Sequence, residues 1–111
     1  MVTHMDELKE EIMRIGEPVG LKNHFRRMLE EEEKIAVATI RQGWWLAKIV
    51  YDGTKEKLRS RGIRWPDLVK AAASIYLHSI AWIQDKITWQ QLLEKLLETV
   101  IVIKKIGGKI E

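Results

Sequence analysis

The chain has 111 residues, 46% apolar and 32% charged, the balance of one ordinary globular domain over residues 1–111 and not of a disordered tail. It contains no cysteine, which excludes disulfides, thiolate metal sites and thiol nucleophiles. The net charge of +3 conceals an asymmetry: residues 1–33 carry five basic and nine acidic groups (net −4), against fourteen and seven (net +7) in the remainder, where an anionic partner would bind.

Every long segment reads at helical period, and none shows the sustained alternation of a strand. Met5, Leu8, Ile12 and Ile15 put an apolar stripe on a first helix, which the segment from Gly16 to Gly20, with Pro18 inside it, brings to an end. A second helix turns Leu21, Phe25, Met28 and Leu29 toward the core and leaves Lys22, Arg26 and Arg27 on its outer side. The acidic run Glu30 to Glu33 suits the first turn of the next helix, whose unpaired N–H groups attract carboxylates. That third helix is expected from about Glu32 to about Tyr51, with Ile35, Ala38, Trp45, Leu46 and Ile49 facing inward. Asp52-Gly53 either stops it or only weakens it, since a lone glycine costs about 1 kcal/mol in a helix; in the second case Lys55 to Ser60 continue it.

Gly62 breaks the chain, and Trp65-Pro66-Asp67 reads as a helix start with proline at the first helical position. Leu68, Val69, Ala72, Ala73, Tyr76, Ile80 and Ile83 then form the core stripe of a fourth helix, in which Ala71 to Ala73 allow a neighbour to approach closely. Thr88 with Gln91 is a capping-box pattern that opens the last helix. Its buried face is Trp89, Leu92, Leu93, Leu96, Leu97, Val100 and Ile103, Lys104 and Lys105 complement its negative end, and Gly107-Gly108 is expected to terminate it. The sequence therefore predicts an all-α domain, a compact bundle of about five helices with short connections.

Catalytic chemistry finds little support. His4, His24 and His78 stand apart at no metal-ligand spacing, and Asp6, Asp52, Asp67 and Asp85 each lie beside an expected turn or helix start, where capping accounts for them. No glycine-rich phosphate loop, nucleophile elbow or nucleotide fingerprint is present. No enzyme, no cofactor, and no catalytic or metal-binding residue is expected. The longest uncharged stretch, Ala71 to Gln84, is too short and too polar to span a bilayer, and the acidic start is unlike a signal peptide, so the expectation is a cytoplasmic protein without membrane contact. Asn and Gln together number five while Lys and Glu number twelve each, a bias that points to a thermophilic source.

The third helix is more informative. At 100° per residue, Arg41, Trp44, Lys48, Tyr51 and Lys55 fall in a strip roughly 80° wide, centred about 130° from the expected apolar face. Cations neutralise phosphates and flat rings offer stacking surfaces indifferent to base identity, which is the chemistry of single-stranded nucleic-acid binding. Downstream, Lys57, Arg59, Arg61 and Arg64 extend the charge, so that residues 55–64 hold five cations against Glu56 alone. A solvated helix face has a similar composition, so the strip by itself leaves both readings open. Of the five tryptophans, Trp45 and Trp89 fit core stripes, whereas Trp44, Trp65 and Trp82 point to faces that a small domain leaves uncovered. Exposed tryptophan suits a partner surface; rings filling a small core are the other reading.

Thr39-Ile40-Arg41, followed by an apolar helix into Tyr51-Asp52-Gly53-Thr54-Lys55-Glu56-Lys57, resembles the IR-containing helix of the small subunit of type III-A CRISPR effector complexes. The last helix, closing on Ile106-Gly107-Gly108-Lys109, resembles that family's closing helix and terminal Gly-Gly motif, with Ile106 where the family usually has an aromatic residue. The apolar segment Ile75 to Trp82 is similar to a helix of the type III-B small subunit. Either resemblance implies a non-catalytic helical bundle that lines up with neighbouring copies of itself and other effector-complex subunits along the guide and target RNA, its basic face holding the target backbone. Cleavage belongs to other subunits of such complexes. The motif-matched RNA-binding residues are Arg41, Lys55 and Lys57; Trp44, Lys48, Arg59, Arg61 and Arg64 rest on clustering of charge and rings. The alternatives are a protein–protein interaction bundle and a nucleic-acid-binding bundle of a mobile element. No helix carries an obvious base-reading set, so sequence-specific duplex binding is disfavoured.

Overall fold

The computed structural model describes residues 4–31 and 35–110, with side chains for 7–31 and 41–104. Six helices follow one another: α1 (His4–Met13), α2 (Val19–Glu30), α3 (Ile35–Ser60), α4 (Trp65–Ser74), α5 (Tyr76–Ile83) and α6 (Trp89–Ile110). With 26 and 22 residues, α3 and α6 are about 39 Å and 33 Å long at 1.5 Å per residue, most of the molecule's 45 Å length. The shorter α1, α4 and α5 each pack on both long helices, and α2 covers α3 and α5. The all-α expectation holds among the described residues, with six helices where about five were expected. Glu32 and Glu33, and the side chains of Met5, Ile35, Ala38 and Lys105, lie outside the described residues.

Local chemistry sets most of the boundaries. α3 ends in a Schellman turn: Gly62 takes φ 71°, its N–H donates to Arg59 O (3.0 Å), and Ile63 N–H reaches Leu58 O (2.9 Å), while Leu58 and Ile63 are both buried. The Asp67 carboxylate accepts the Arg64 N–H at 2.9 Å and opens α4. Thr88 N–H donates to Gln91 Oε1 (2.8 Å) and Gln91 N–H to Thr88 Oγ1 (3.1 Å), the reciprocal box expected at α6. α3 runs through Asp52-Gly53 and kinks at Thr54 (φ −136°, ψ 24°), whose hydroxyl donates to Val50 O at 2.6 Å. Gly53 admits the Ile15 side chain, since a Cβ there would lie 3.2 Å from Ile15 Cγ1 and Cδ1.

Five expectations are corrected. The expected fourth helix is two, because the chain leaves helical geometry at Ile75 (φ −106°, ψ 21°), just after Ser74 turns its hydroxyl back to Lys70 O. The break re-registers the following residues: Ser79 and Trp82 are buried while Tyr76 and Leu77 are exposed, and Ile83 stays buried as expected; Ala73, before the break, is exposed too. Gly107-Gly108 does not end α6, which continues to Ile110; without a positive φ, glycine lowers helix propensity but terminates nothing. Trp45 and Trp82 exchange roles, Trp45 being 39% exposed and Trp82 3%. The buried face of α3 is Leu46, Ala47, Val50 and Thr54, rotated roughly 100° from the face that the large side chains suggest. Small residues make it: a Cβ on Gly43 would lie 3.9 Å from the Ala72 backbone, and Ala47, Ala71 and Ala72 are fully buried.

Lys22, expected outside, is the fifth. Its side chain is 11% exposed, donates to Asp85 Oδ1 and to Glu17 Oε1 (3.4 Å), and lies 5.5 Å from the Trp82 ring centroid. Arg26 joins it, donating to Ile83 O from Nε (3.1 Å) and Nη2 (2.8 Å) and to Asp85 Oδ2 at 2.8 Å. Asp85 sits at φ 60° in the Schellman turn that ends α5, with Lys86 N–H on Ala81 O at 2.8 Å. Two cations from α2 thus hold a non-glycine residue in the left-handed region. Hydrogen bonding by Lys22 keeps the Asp85 carboxyl below its ordinary pKa, and Asp85 in turn raises that of Lys22. Stability held by such a carboxylate is present above its ordinary value of about 3.9 and is lost as pH falls through the lower folded value. Asp85→Asn is therefore expected to melt below the wild type at neutral pH, with the gap closing below about pH 4 in melts taken from pH 2 to 7. A gap that stays constant down to pH 2 would assign the loss to packing instead.

Candidate functional site

The outer face of α3 and the first residue of α4 build one continuous surface. Four rings form an edge-to-face row: Trp45 and Trp44 at 5.3 Å between centroids (86°), Trp44 and Trp65 at 6.1 Å (83°), Trp65 and Tyr51 at 5.6 Å (75°). Trp44 and Trp45 are exposed, Tyr51 and Trp65 half-buried. Periodicity accounts for Trp44 and Tyr51, seven residues apart on one face of α3. Trp65 comes from a separate helix and reaches the gap between them because α4 lies so close to α3 over Gly43 and Ala47.

Cations edge the row. Lys48 Nζ stands 5.7 Å from the Trp44 centroid and Lys55 Nζ 5.9 Å from that of Tyr51. Lys48 also pairs with Asp52 at 3.5 Å, one turn along the same helix. Arg41, Lys55, Arg59 and Arg64 are exposed and make no ion pair among the described residues. The remaining two expected site residues point elsewhere: Lys57 and Arg61 face α1, where Glu7 Oε2 lies 3.8 Å and 3.6 Å from their nitrogens. Of the expected site residues, Lys48 and Lys55 thus stand beside the rings of Trp44 and Tyr51, Arg41, Arg59 and Arg64 are exposed on α3 and just before α4, and Lys57 and Arg61 pair with α1.

Sequence reading missed the joining role of Trp65 and the continuation of the row to Trp45. Neither had a sequence signal, because both depend on which face of α3 the neighbouring helix covers. No family model, curated protein or solved structure matches the chain. What the site can do therefore rests on its own chemistry. Among the described residues no group of three or more His, Asp or Glu could hold a metal ion, and no helix is long and apolar enough to cross a membrane. What the surface offers is exposed ring area beside positive charge, suited to a planar, polyanionic partner.

The row has a measurable stability consequence. Trp65→Ala removes the ring that touches both Trp44 and Tyr51, and is expected to lower the unfolding free energy by about 2 kcal/mol in urea titrations. Trp45→Ala, which removes the row's exposed end, is expected to cost about half as much. Equal losses would mean that Trp65 packs no better than a surface ring.

Proposed function

We propose that the protein is a non-catalytic RNA-binding small subunit of a type III CRISPR ribonucleoprotein effector, a cytoplasmic assembly in which it holds the target RNA backbone along α3. The observation that carries this reading is the row of Trp44, Trp65 and Tyr51 with Lys48 and Lys55 over its rings, on a surface where Arg41, Lys55, Arg59 and Arg64 are exposed and make no ion pair among the described residues. Unpaired cations are the ones that gain most from a phosphate, and rings between them accept any base. The resemblance of the segment around Arg41 and Lys55 to the small-subunit helix supports the same assignment. Lys57 and Arg61 are left out of it, since both are directed toward Glu7 of α1, whose single carboxylate they share. In the assembly, neighbouring copies and other effector subunits would flank the strip. The acidic segment has less to offer such neighbours than its net charge suggests, because Glu7 and Glu17 pair within the chain.

A protein-interaction bundle is the second reading, favoured by the exposed Tyr76 and Leu77 at the start of α5. Salt titrations of single-stranded RNA binding separate the two. Arg41→Ala and Lys55→Ala are expected to weaken binding about equally for unrelated RNAs and to reduce the log–log salt slope by about 0.7 per lost contact. Trp44→Ala is expected to cost about 1 to 3 kcal/mol with little change of slope. Lys57→Ala should change neither. Unaltered RNA affinity in folded Arg41→Ala and Lys55→Ala proteins would overturn the RNA assignment and leave the α5 surface as the candidate.

A further inference from the structure

The strip on α3 repeats itself. Trp44 has Lys48 over its ring, Nζ standing 5.7 Å from the centroid, and Tyr51 has Lys55 over its ring in the same way at 5.9 Å. The two ring-and-lysine units are two helical turns apart in sequence, so they recur on one side of α3 about 10 Å from each other along its axis. Trp65 stands between them, edge-to-face with both rings at 6.1 Å and 5.6 Å, so α4 as well as α3 sets their spacing. Lys55 is exposed, and the ring face beneath it opens to solvent and not to another helix. The units differ in one respect: Lys48 is held by Asp52 at 3.5 Å, whereas Lys55 makes no ion pair among the described residues.

A cation over an exposed ring is weakly held, and a lysine ammonium rides on a flexible stem, so a base can take the ring face while the ammonium moves to the phosphate beside it. Base stacking is the stronger of the two contacts and is indifferent to base identity. A stacked strand advances about 3.4 Å per nucleotide, so about three nucleotide steps separate the two rings. We propose, resting on the RNA reading above, that Trp44 with Lys48 and Tyr51 with Lys55 are two base-stacking subsites for one single strand, and that the site takes a run of about four nucleotides and not isolated nucleotides. Two subsites on one strand act as a bivalent pair. A base on Trp44 delivers the rest of the strand to Tyr51 at high local concentration, and a strand too short to span the gap gains nothing. Tyr51 thereby has a binding role of its own, and Trp65 positions the two rings without touching the strand.

The test is a length series on the full chain: unlabelled oligoadenylates of about one to eight nucleotides are titrated against tryptophan emission, at low salt and at a raised salt concentration that suppresses the charge contribution. At raised salt, affinity is expected to rise about tenfold or more between about three and about five nucleotides, and only slowly beyond. Tyr51→Leu is expected to remove that step, weakening the longer strands about tenfold and leaving the dinucleotide within about twofold of the wild type. Tyr51→Phe, which keeps the ring, is expected to keep the step. Binding confined to low salt, affinity that rises evenly with length, or a folded Tyr51→Leu protein that keeps the step or weakens every length alike would overturn the two-subsite proposal and leave the RNA reading standing. If even the longest strand fails to bind at low salt, the RNA reading itself falls and takes this proposal with it. Should Tyr51→Leu fail to fold, the wild-type length series still decides.

Discussion

The contact between α3 and α4 is made of almost nothing, and the rest follows from that. Gly43 of α3 faces the backbone of Ala72 and Ala73 in α4, and Ala47, Ala71 and Ala72 are fully buried, so small residues dominate this contact. Dispersion contacts made backbone to backbone tolerate little additional volume, and they fix the rotation of both helices. Trp65 then stands in the gap between Trp44 and Tyr51, and the row of rings is complete. An alanine fits at Gly43, where its Cβ would just reach van der Waals contact, whereas a large side chain at the fully buried Ala47, Ala71 or Ala72 would push the helices apart and take Trp65 with them.

Charge is sorted by partner and not by density. The stretch from Lys55 to Arg64 reads as one basic cluster, yet the fold divides it. Lys57 and Arg61 tie α3 to Glu7 of α1, while Lys55, Arg59 and Arg64 remain in solvent. Elsewhere Lys22 and Arg26 are spent on Asp85 and on the end of α5. Exposed ion pairs of this kind contribute little each. Lys22 differs, because its ammonium is mostly withdrawn from water and would be costly without its carboxylates.

What could be read from the sequence was what depends on one helix at a time. The helical class, the Thr88–Gln91 box, the Gly62 stop and the buried stripe from Trp89 to Val100 rest on local period and local hydrogen bonds. The strip on α3 was legible for the same reason, being a matter of spacing within one helix. The misreadings arise where a second helix decides. Hydrophobicity gave weight to Trp45 and little to Gly43 and Ala47, although close approach favours the small residues. A single irregular residue, Ile75, shifted the helix register after it, which brought Trp82 inside and put Tyr76 outside while Ile83 stayed in the core. Nothing local distinguishes Lys57 from Lys55; the difference is that α1 lies beside one of them. Nor does sequence show that Asp85 would take a backbone conformation usually left to glycine, since its two cationic partners are about sixty residues away.

The five tryptophans end up in two separate sets, and this gives the molecule a built-in optical division. Trp82 and Trp89 form a pair inside the bundle, whereas Trp44 and Trp45 stand at the surface with Trp65 beside them. A water-borne quencher reaches the outer set first, so native emission separates into an accessible, red-shifted part and a shielded, blue-shifted part. Unfolding merges the two. A ligand settling on α3 changes only the accessible part, so one intrinsic signal distinguishes occupancy of the surface from loss of the core without any label.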